Sequence, residues 1–171
     1  MRWINKIIVH CTANKATCKL TMQDFIKIHK KRGFSTVGYH YIIFPDGRVE
    51  QGRPESRIGA HCQGQNYHSI GVAYVGGLDT NGKPADTRTP EQKQAMLELL
   101  TKLSAKYHCP IYGHRDFLQW YDKNGNGVRD NGECLKDCPC FDAHSEYKML
   151  YQKGWIHFFR VIQNCLIVFW R

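Results

Sequence analysis

Short, nearly continuous apolar runs alternate along this chain with longer segments whose apolar residues recur at helical spacing. The runs at 4–11 and 69–75 are rich in isoleucine and valine, which predicts two buried strands. Residues 39–44 and 48–51 flank a Pro-Asp-Gly turn sequence and predict a β-hairpin. Residues 110–112 predict one further short strand.

Helical spacing is clearest after the sequence Thr89-Pro90-Glu91-Gln92. This stretch combines a capping threonine, a proline in the first turn and a glutamine three residues after the cap. An apolar stripe follows as far as Tyr107, so the segment predicts a long helix that packs on the core. A last helix is expected to begin after the capping residue Asp142 and to stop at Gly154.

A third helix is predicted from the capping residue Thr21 to Lys31. The residues expected on its buried face are Phe25, Ile28 and His29. Strands and helices thus alternate around a hairpin, which predicts an α/β fold, a single domain with a mixed central β-sheet flanked by helices. We expect this domain to cover residues 1–154 and an apolar extension to cover 155–171.

The chain is basic, with a net charge of +9 from 24 basic and 15 acidic residues. Such a surface attracts polyanions, either nucleic acid or the anionic polymers of a bacterial wall. The first residues lead directly into a strand without an apolar signal region, so we expect synthesis in the cytoplasm. The eight cysteines would then stay reduced, and a cysteine cluster is more often metal-binding or inert than disulfide-bonded.

Two histidines stand where buried strands are expected to end. His10 follows Ile7-Ile8-Val9, and His114 follows Ile111-Tyr112-Gly113. Functional side chains of open α/β sheets are found at strand ends of this kind. With a thiolate from Cys138 or its neighbour Cys140, these imidazoles would form a three-ligand zinc site with an open fourth position, the pattern of catalytic zinc.

Several motifs, in order along residues 4–152, resemble the type 2 N-acetylmuramoyl-L-alanine amidases, the family of zinc-dependent phage lysozymes and peptidoglycan recognition proteins. The resemblance is carried by Val9-His10-Cys11-Thr12-Ala13, Val37-Gly38-Tyr39-His40-Tyr41-Ile42-Ile43, Gly59-Ala60-His61, Ser69-Ile70-Gly71-Val72, Gly76-Gly77, Gly113-His114-Arg115 and Lys136-Asp137-Cys138-Pro139. It implies the amidase fold and a Zn2+ ion held by His10, His114 and Cys138.

The resemblance also implies a reaction, the zinc-dependent hydrolysis of the amide bond between N-acetylmuramic acid and L-alanine in bacterial peptidoglycan. Within it, Tyr39 and Lys136 correspond to the catalytic pair. We assign Tyr39 to orienting or deprotonating the attacking water and Lys136 to the oxyanion. His61 resembles a position near the substrate cleft, and Asn66 and His68 are candidates to line the same cleft.

Two other classes of function deserve comparison. A recognition protein of the same fold would hold muropeptide without cutting it, but binding-only relatives typically lose the cysteine ligand that Cys138 supplies here. A nucleic-acid-binding protein with structural zinc would usually fill all four metal positions from closely spaced residues. The wide separation of His10, His114 and Cys138 argues against it, so no specific nucleic acid partner is expected.

Residues 122–133 depart from the compact phage enzymes and match the EF-hand loop pattern. Oxygen donors and the central glycine stand at the required positions, which makes this loop a candidate for Ca2+ or else a flexible polar turn. The candidate calcium ligands are Asp122, Asn124, Asn126, Val128 (through its carbonyl), Asp130 and Glu133.

The extension at 155–171 carries three large apolar clusters around polar residues. It is too short and too polar to be interpreted as a membrane span, so we interpret it as a packed helix, an interfacial anchor or a non-native extension. We expect a monomer whose partners are peptidoglycan and muropeptides. Because it would be made in the cytoplasm, it would reach the cell wall only after release, as a phage or prophage lysin does.

Overall fold

The computed structural model describes residues 2–15, 17–118 and 137–151. Its main sheet has five strands in the order β4-β3-β5-β1-β7, and β2 pairs with β6 in a separate two-stranded sheet. The strands are β1 (Lys6–Cys11), β2 (Asn14–Lys15), β3 (Tyr41–Ile43), β4 (Val49–Gln51), β5 (Ser69–Tyr74), β6 (Gly77–Leu78) and β7 (Ile111–Gly113).

The main sheet is mixed, as the sequence predicts. Strand β1 runs parallel to both β5 and β7, and β3 runs parallel to β5, while β3 and β4 form the antiparallel hairpin. The hairpin turn closes with a hydrogen bond of 2.9 Å from Gly47 N–H to the Phe44 carbonyl, and Gly47 has a φ of +82°. A glycine is favoured there because a side chain rarely adopts positive φ.

Two helices, α1 (Met22–Lys31) and α2 (Pro90–Tyr107), start with the predicted capping residues. Thr21 and Thr89 each form a capping box with the residue three positions later, which satisfies backbone N–H groups that the first turn leaves unpaired. A third helix, α3, has 143–151 as its described part. The Asp142 carboxylate accepts a hydrogen bond of 2.9 Å from Ser145 N–H, so Asp142 caps it as predicted.

The helices α1 and α2 cover opposite faces of the sheet. Alternating residues of the strands divide between two cores, because successive side chains of a strand point to opposite faces. The core under α2 contains Ile7, Val9, Ile43, Ile70, Val72, Met96, Leu100 and Leu103. The core under α1 contains Phe25, Val37, Ile42, Phe44 and Val75.

Two short 3-10 helices complete the described chain, Asn66–His68 before β5 and His114–Phe117 after β7. None of the helices in the described ranges is long and apolar enough to cross a membrane. The EF-hand-like loop at 122–133 and the extension at 155–171 lie outside the described residues. The division of the chain into a domain at 1–154 and an extension therefore stays a prediction.

Candidate metal centre and active-site cleft

His10 and His114 meet because their strands are neighbours in the sheet. Strands β1 and β7 are parallel, with Val9 paired to Gly113, so the residues that follow each of these stand side by side. The two imidazole rings are 4.6 Å apart between centroids. The carboxyl ends of two parallel strands thus bring together two histidines that are distant in the sequence, as the strand pattern predicts.

Cys138 reaches the same point from the segment that follows the undescribed residues. Its carbonyl accepts a hydrogen bond of 2.8 Å from Arg115 N–H, and the hydroxyl of Tyr74 donates to the Pro139 carbonyl at 2.8 Å. These bonds anchor the segment against β5 and the start of the 3-10 helix after β7. The Cys138 Sγ then lies 3.8 Å from Nδ1 of His10.

The donor atoms of His10, His114 and Cys138 all lie within 4.8 Å of one another. Zinc bonds of about 2.1 Å to nitrogen and about 2.3 Å to sulfur place such a pair of atoms about 3.6 Å apart at a tetrahedral angle. The separation of 3.8 Å between Cys138 Sγ and His10 Nδ1 is close to this value. Two nitrogens and one sulfur therefore fit a zinc ion, and three protein ligands is the number that catalytic zinc sites use.

One backbone contact also suits a sulfur that carries negative charge. The N–H of Cys11 donates to Sγ of Cys138 at 3.2 Å. Burial raises the pKa of the Cys138 thiol well above its ordinary value, so a cation beside it is needed to stabilise the thiolate. Cys140 instead directs its Sγ to the Gly77 carbonyl at 3.3 Å and stands 3.9 Å from Sγ of Cys11. The sequence did not decide which of these two cysteines would be the metal ligand. In the structure, Cys138 is the one beside the histidines.

These residues lie in a cleft of about 780 Å3 at the carboxyl edge of the sheet. Tyr39 lines it, with its ring 5.3 Å from that of His10. Burial raises the pKa of Tyr39 above its ordinary value, and the nearby Cys138 and Cys11 raise it further. The phenol therefore keeps its proton at neutral pH and can donate a hydrogen bond into the cleft.

Of the three predicted substrate-binding residues, two line the cleft in the structure and one does not. His61 lines the cleft and places its Nδ1 3.0 Å from Nε2 of His10. Asn66 also lines the cleft, and its Oδ1 accepts hydrogen bonds of 2.9 Å from the N–H groups of His61 and Cys62. His68 does not line it, because its Nδ1 contacts the Trp3 carbonyl at 2.9 Å and its ring packs on Trp3.

Some of the predicted site residues lie outside the part of the chain that the structure describes. Lys136 lies outside the described residues, whereas the following residue, Asp137, lines the cleft. The candidate calcium ligands of 122–133 also lie outside the described residues, so calcium binding stays a prediction from the sequence.

The end of α1 supplies cleft residues that the sequence analysis missed. His29, Arg32 and Phe34 form one wall, with the guanidinium of Arg32 5.6 Å from the centre of the Phe34 ring. Nothing in the sequence distinguishes Arg32 from the other basic residues at the end of this helix. Its place in the wall depends on how α1 packs against the sheet.

The mixed α/β fold of this chain is shared with solved amidases. The chain resembles the N-acetylmuramoyl-L-alanine amidase LysC from Clostridium intestinale URNW, with a TM-score of 0.64 and 28% identity over 88% of this chain and 84% of that one. Bumblebee PGRP-SA has the same fold, with a TM-score of 0.63 at 19% identity over 86% of this chain and 82% of the other.

Sequence comparison places the chain within a family. The endolysin of Escherichia phage T7 is 39% identical over 140 residues, which are 74% of this chain and 91% of that protein. The endolysin of Klebsiella phage KP32 is 37% identical over 142 residues, covering 75% and 92%. The family model of N-acetylmuramoyl-L-alanine amidases matches residues 1–132, and the chain belongs to that family. It is therefore an amidase, a hydrolase of cell-wall peptidoglycan.

Proposed function

We propose that this chain is a zinc-dependent amidase that hydrolyses the bond between N-acetylmuramic acid and L-alanine, and that it acts on the cell wall as an endolysin. The observation that carries the proposal is the convergence of His10, His114 and Cys138 within 4.8 Å in a cleft. The family match ends at residue 132, so the position of Cys138 supports the proposal independently of that match.

A zinc ion held by these three residues would lower the pKa of a bound water and polarise the scissile carbonyl. The chain's own residues would supply the remaining tasks of amide hydrolysis. Tyr39, whose ring lies 5.3 Å from that of His10, is assigned to orienting or deprotonating the water. We assign the oxyanion to Lys136, which directly precedes the cleft residue Asp137.

The charge of the whole chain favours an anionic substrate such as muropeptide. Within the cleft, one cation, Arg32, stands with one carboxylate, Asp137, among the residues that the structure describes. The chain as a whole carries a net charge of +9, which attracts the anionic polymers of a bacterial wall. Relatives include peptidoglycan-recognition protein SC2 of Drosophila melanogaster, 30% identical over 123 residues. The presence of Cys138 beside the two histidines favours the amidase over a binding-only role.

The test is incubation of the purified protein with peptidoglycan, with and without a chelator, followed by mass analysis of the products. We expect free stem peptides that begin with L-alanine, and no such products after chelation. Cys138→Ala should lose both bound zinc and cleavage, whereas Cys18→Ala, a cysteine that does not line the cleft, should keep both. Tyr39→Phe and Lys136→Ala should keep zinc and lose turnover. Full cleavage by metal-free protein would contradict zinc dependence.

A further inference from the structure

Ser69, at the start of β5, fixes the direction of a chain of hydrogen bonds that leads to the candidate metal site. Its hydroxyl donates to the carbonyl oxygen of Gln65 at 2.8 Å. A carbonyl oxygen can only accept, so the hydroxyl proton is committed to this bond. The Ser69 oxygen is then available as an acceptor for its next neighbour, Nε2 of His61, at 3.4 Å.

The same reasoning assigns the donor and acceptor nitrogens of His61 and then of His10. If Nε2 of His61 donates to Ser69, its Nδ1 is the accepting nitrogen of the neutral ring. That Nδ1 lies 3.0 Å from Nε2 of His10, which must then be the donor. The unprotonated nitrogen of His10 is consequently Nδ1, the atom that faces Cys138 Sγ at 3.8 Å.

Two glycines leave the space that the ring of His61 occupies. A Cβ on Gly59 would lie 2.4 Å from Cδ2 of His61, and a Cβ on Gly71 would lie 2.5 Å from the same atom. The N–H of His61 is held by Asn66 Oδ1 at 2.9 Å. Both the backbone and the ring of this residue are therefore confined, so the contact with His10 is a fixed part of the structure.

We propose that His61 is a positioning residue for His10, holding it in the tautomer that carries its proton on Nε2 and presents Nδ1 to the metal. Histidine ligands commonly donate their second nitrogen to an acceptor that sets the tautomer and ring orientation. Here the acceptor is the imidazole of His61. The tautomer of His61 is set in turn by its hydrogen bond to Ser69, whose hydroxyl donates to the Gln65 carbonyl. This role differs from the substrate contact that the resemblance predicts for His61. The predicted effect of His61 on zinc binding rests on the proposed function, but the predicted tautomer of His10 does not.

The first test is a long-range 1H–15N correlation spectrum of metal-free protein labelled at histidine. We expect His10 with a protonated Nε2 and a bare Nδ1, and His61 with the same tautomer. In His61→Leu, which fills the space without an acceptor, His10 should become a mixture of tautomers. A proton on Nδ1 of His10 in the unsubstituted protein would overturn the proposal.

The second test measures zinc affinity by competition with a chromophoric chelator. His61→Leu should bind zinc about 10- to 100-fold more weakly, the usual cost of losing such a partner. His61→Asn, whose amide oxygen can replace Nδ1 as acceptor, should recover most of the affinity. Ser69→Ala should lose less than His61→Leu, and the exposed His108→Asn should change nothing.

The outcomes separate this inference from the proposed function. A folded His61→Leu protein that binds zinc as tightly as the unsubstituted chain overturns the positioning role and leaves the amidase proposal intact. Absence of zinc binding in the unsubstituted chain overturns zinc dependence, while the tautomer of His10 is still decided by the spectrum. If His61→Leu does not fold, the spectra of the unsubstituted and Ser69→Ala proteins decide the question.

Discussion

His40 shows how a single buried side chain can make stability depend on pH. It is fully buried, and its Nδ1 accepts a hydrogen bond of 2.9 Å from the N–H of Gly71. Its Nε2 lies 3.0 Å from the Arg57 carbonyl, which matches a neutral ring with the proton on Nε2. Burial lowers the pKa of His40 to about 4, and the cations of Arg2 and Arg53 lower it as well. A proton on Nδ1 would face the Gly71 N–H.

We therefore expect the protein to lose stability as the pH falls from about 6.5 to about 4. Over this range the unfolded chain takes up a proton at this position and the folded chain does not, so acid favours unfolding. The difference in pKa corresponds to on the order of 3 kcal/mol from this residue. Above pH 6.5 its contribution is fully present, and below pH 4 it no longer changes.

The measurement is urea unfolding of metal-free protein at several pH values. His40→Asn, whose amide oxygen can still accept from Gly71, should lose about one proton from the pH dependence of the unfolding free energy. His29 and His61, whose pKa values burial also lowers, would supply the dependence that remains. An unchanged pH dependence in His40→Asn would show that this ring is not the group responsible.

Individual residues were predicted best where the local sequence decides their position. His10 and His114 follow runs of apolar residues near the ends of their strands, so their place at the sheet edge could be predicted from the pattern. Sequence pattern alone could not decide between Cys138 and Cys140, because the choice depends on hydrogen bonds from Arg115 and Tyr74 to the carbonyls of Cys138 and Pro139. The contact of His61 with His10, across 51 positions, depends on the path of a long loop.

At the scale of elements, α3 is attached to the rest of the domain through Arg88. The guanidinium of Arg88 donates to the carboxylates of Asp86 and Glu146 and to the Tyr147 hydroxyl, at 2.8 to 2.9 Å. It also lies over the ring of Phe141, 3.2 Å from its centre. One buried cation thus connects the loop before α2 with the segment that continues from Cys138 into α3.

Replacing Arg88 with methionine should loosen this segment and weaken zinc binding. We expect a loss of about 1–3 kcal/mol in the free energy of unfolding, because Asp86 and Glu146 would lose charged hydrogen bonds to a buried partner but stay partly exposed to water. Arg48→Met is the matched control. Arg48 also pairs with carboxylates and lies over a phenylalanine ring, but its side chain is 52% exposed, so its removal should cost less than about 1 kcal/mol.

Chemical denaturation and chelator competition on both variants provide the measurement. Equal losses of stability in the two variants would contradict the importance of burial at Arg88. Unchanged zinc affinity in a destabilised Arg88→Met protein would show that the segment carrying Cys138 is held by its other bonds alone.

The elements themselves were predicted well because their ends are encoded locally. The capping boxes at Thr21 and Thr89 and the turn at Gly47 mark boundaries that the structure confirms. The buried face of α1 was predicted less well. Phe25 and His29 are buried, but Ile28 is 41% exposed. Helical spacing fixes which residues share a face, but it cannot say how far around the helix the sheet extends.

For the molecule as a whole, the proposed zinc ion would join three segments that are far apart in the chain. We expect zinc to raise the melting temperature, since a ligand that binds only the folded state stabilises it by about 4 kcal/mol at 1,000 times its Kd. For a domain of this size that corresponds to on the order of 10 °C. Thermal unfolding monitored by circular dichroism, with zinc and with chelator, measures the difference.

Two cysteine variants give the control for this measurement. Cys138→Ala should melt at the same temperature with zinc and with chelator, while Cys18→Ala should retain the full difference. A zinc-induced shift of equal size in Cys138→Ala would place the stabilising ion elsewhere.

The overall architecture was predictable because strand and helix patterns alternate clearly, and the mixed sheet confirms the expected α/β class. The order of strands in the sheet was not predicted. Strand β1 lies between β5 and β7, which are more than 50 residues away in sequence, and no local pattern encodes such pairings. A local pattern also does not determine which part of a helix lines the cleft.

The separation of His10 from Cys138 by 128 positions also has a consequence for how the protein is made. At about 5–20 residues per second, a ribosome needs roughly 6–26 s to travel from one to the other. The described strands of the main sheet are all synthesised once Gly113 has been added, before the proposed sulfur ligand exists. A growing chain can therefore carry a nearly complete sheet while lacking the proposed zinc site. Translation itself would time the completion of that site.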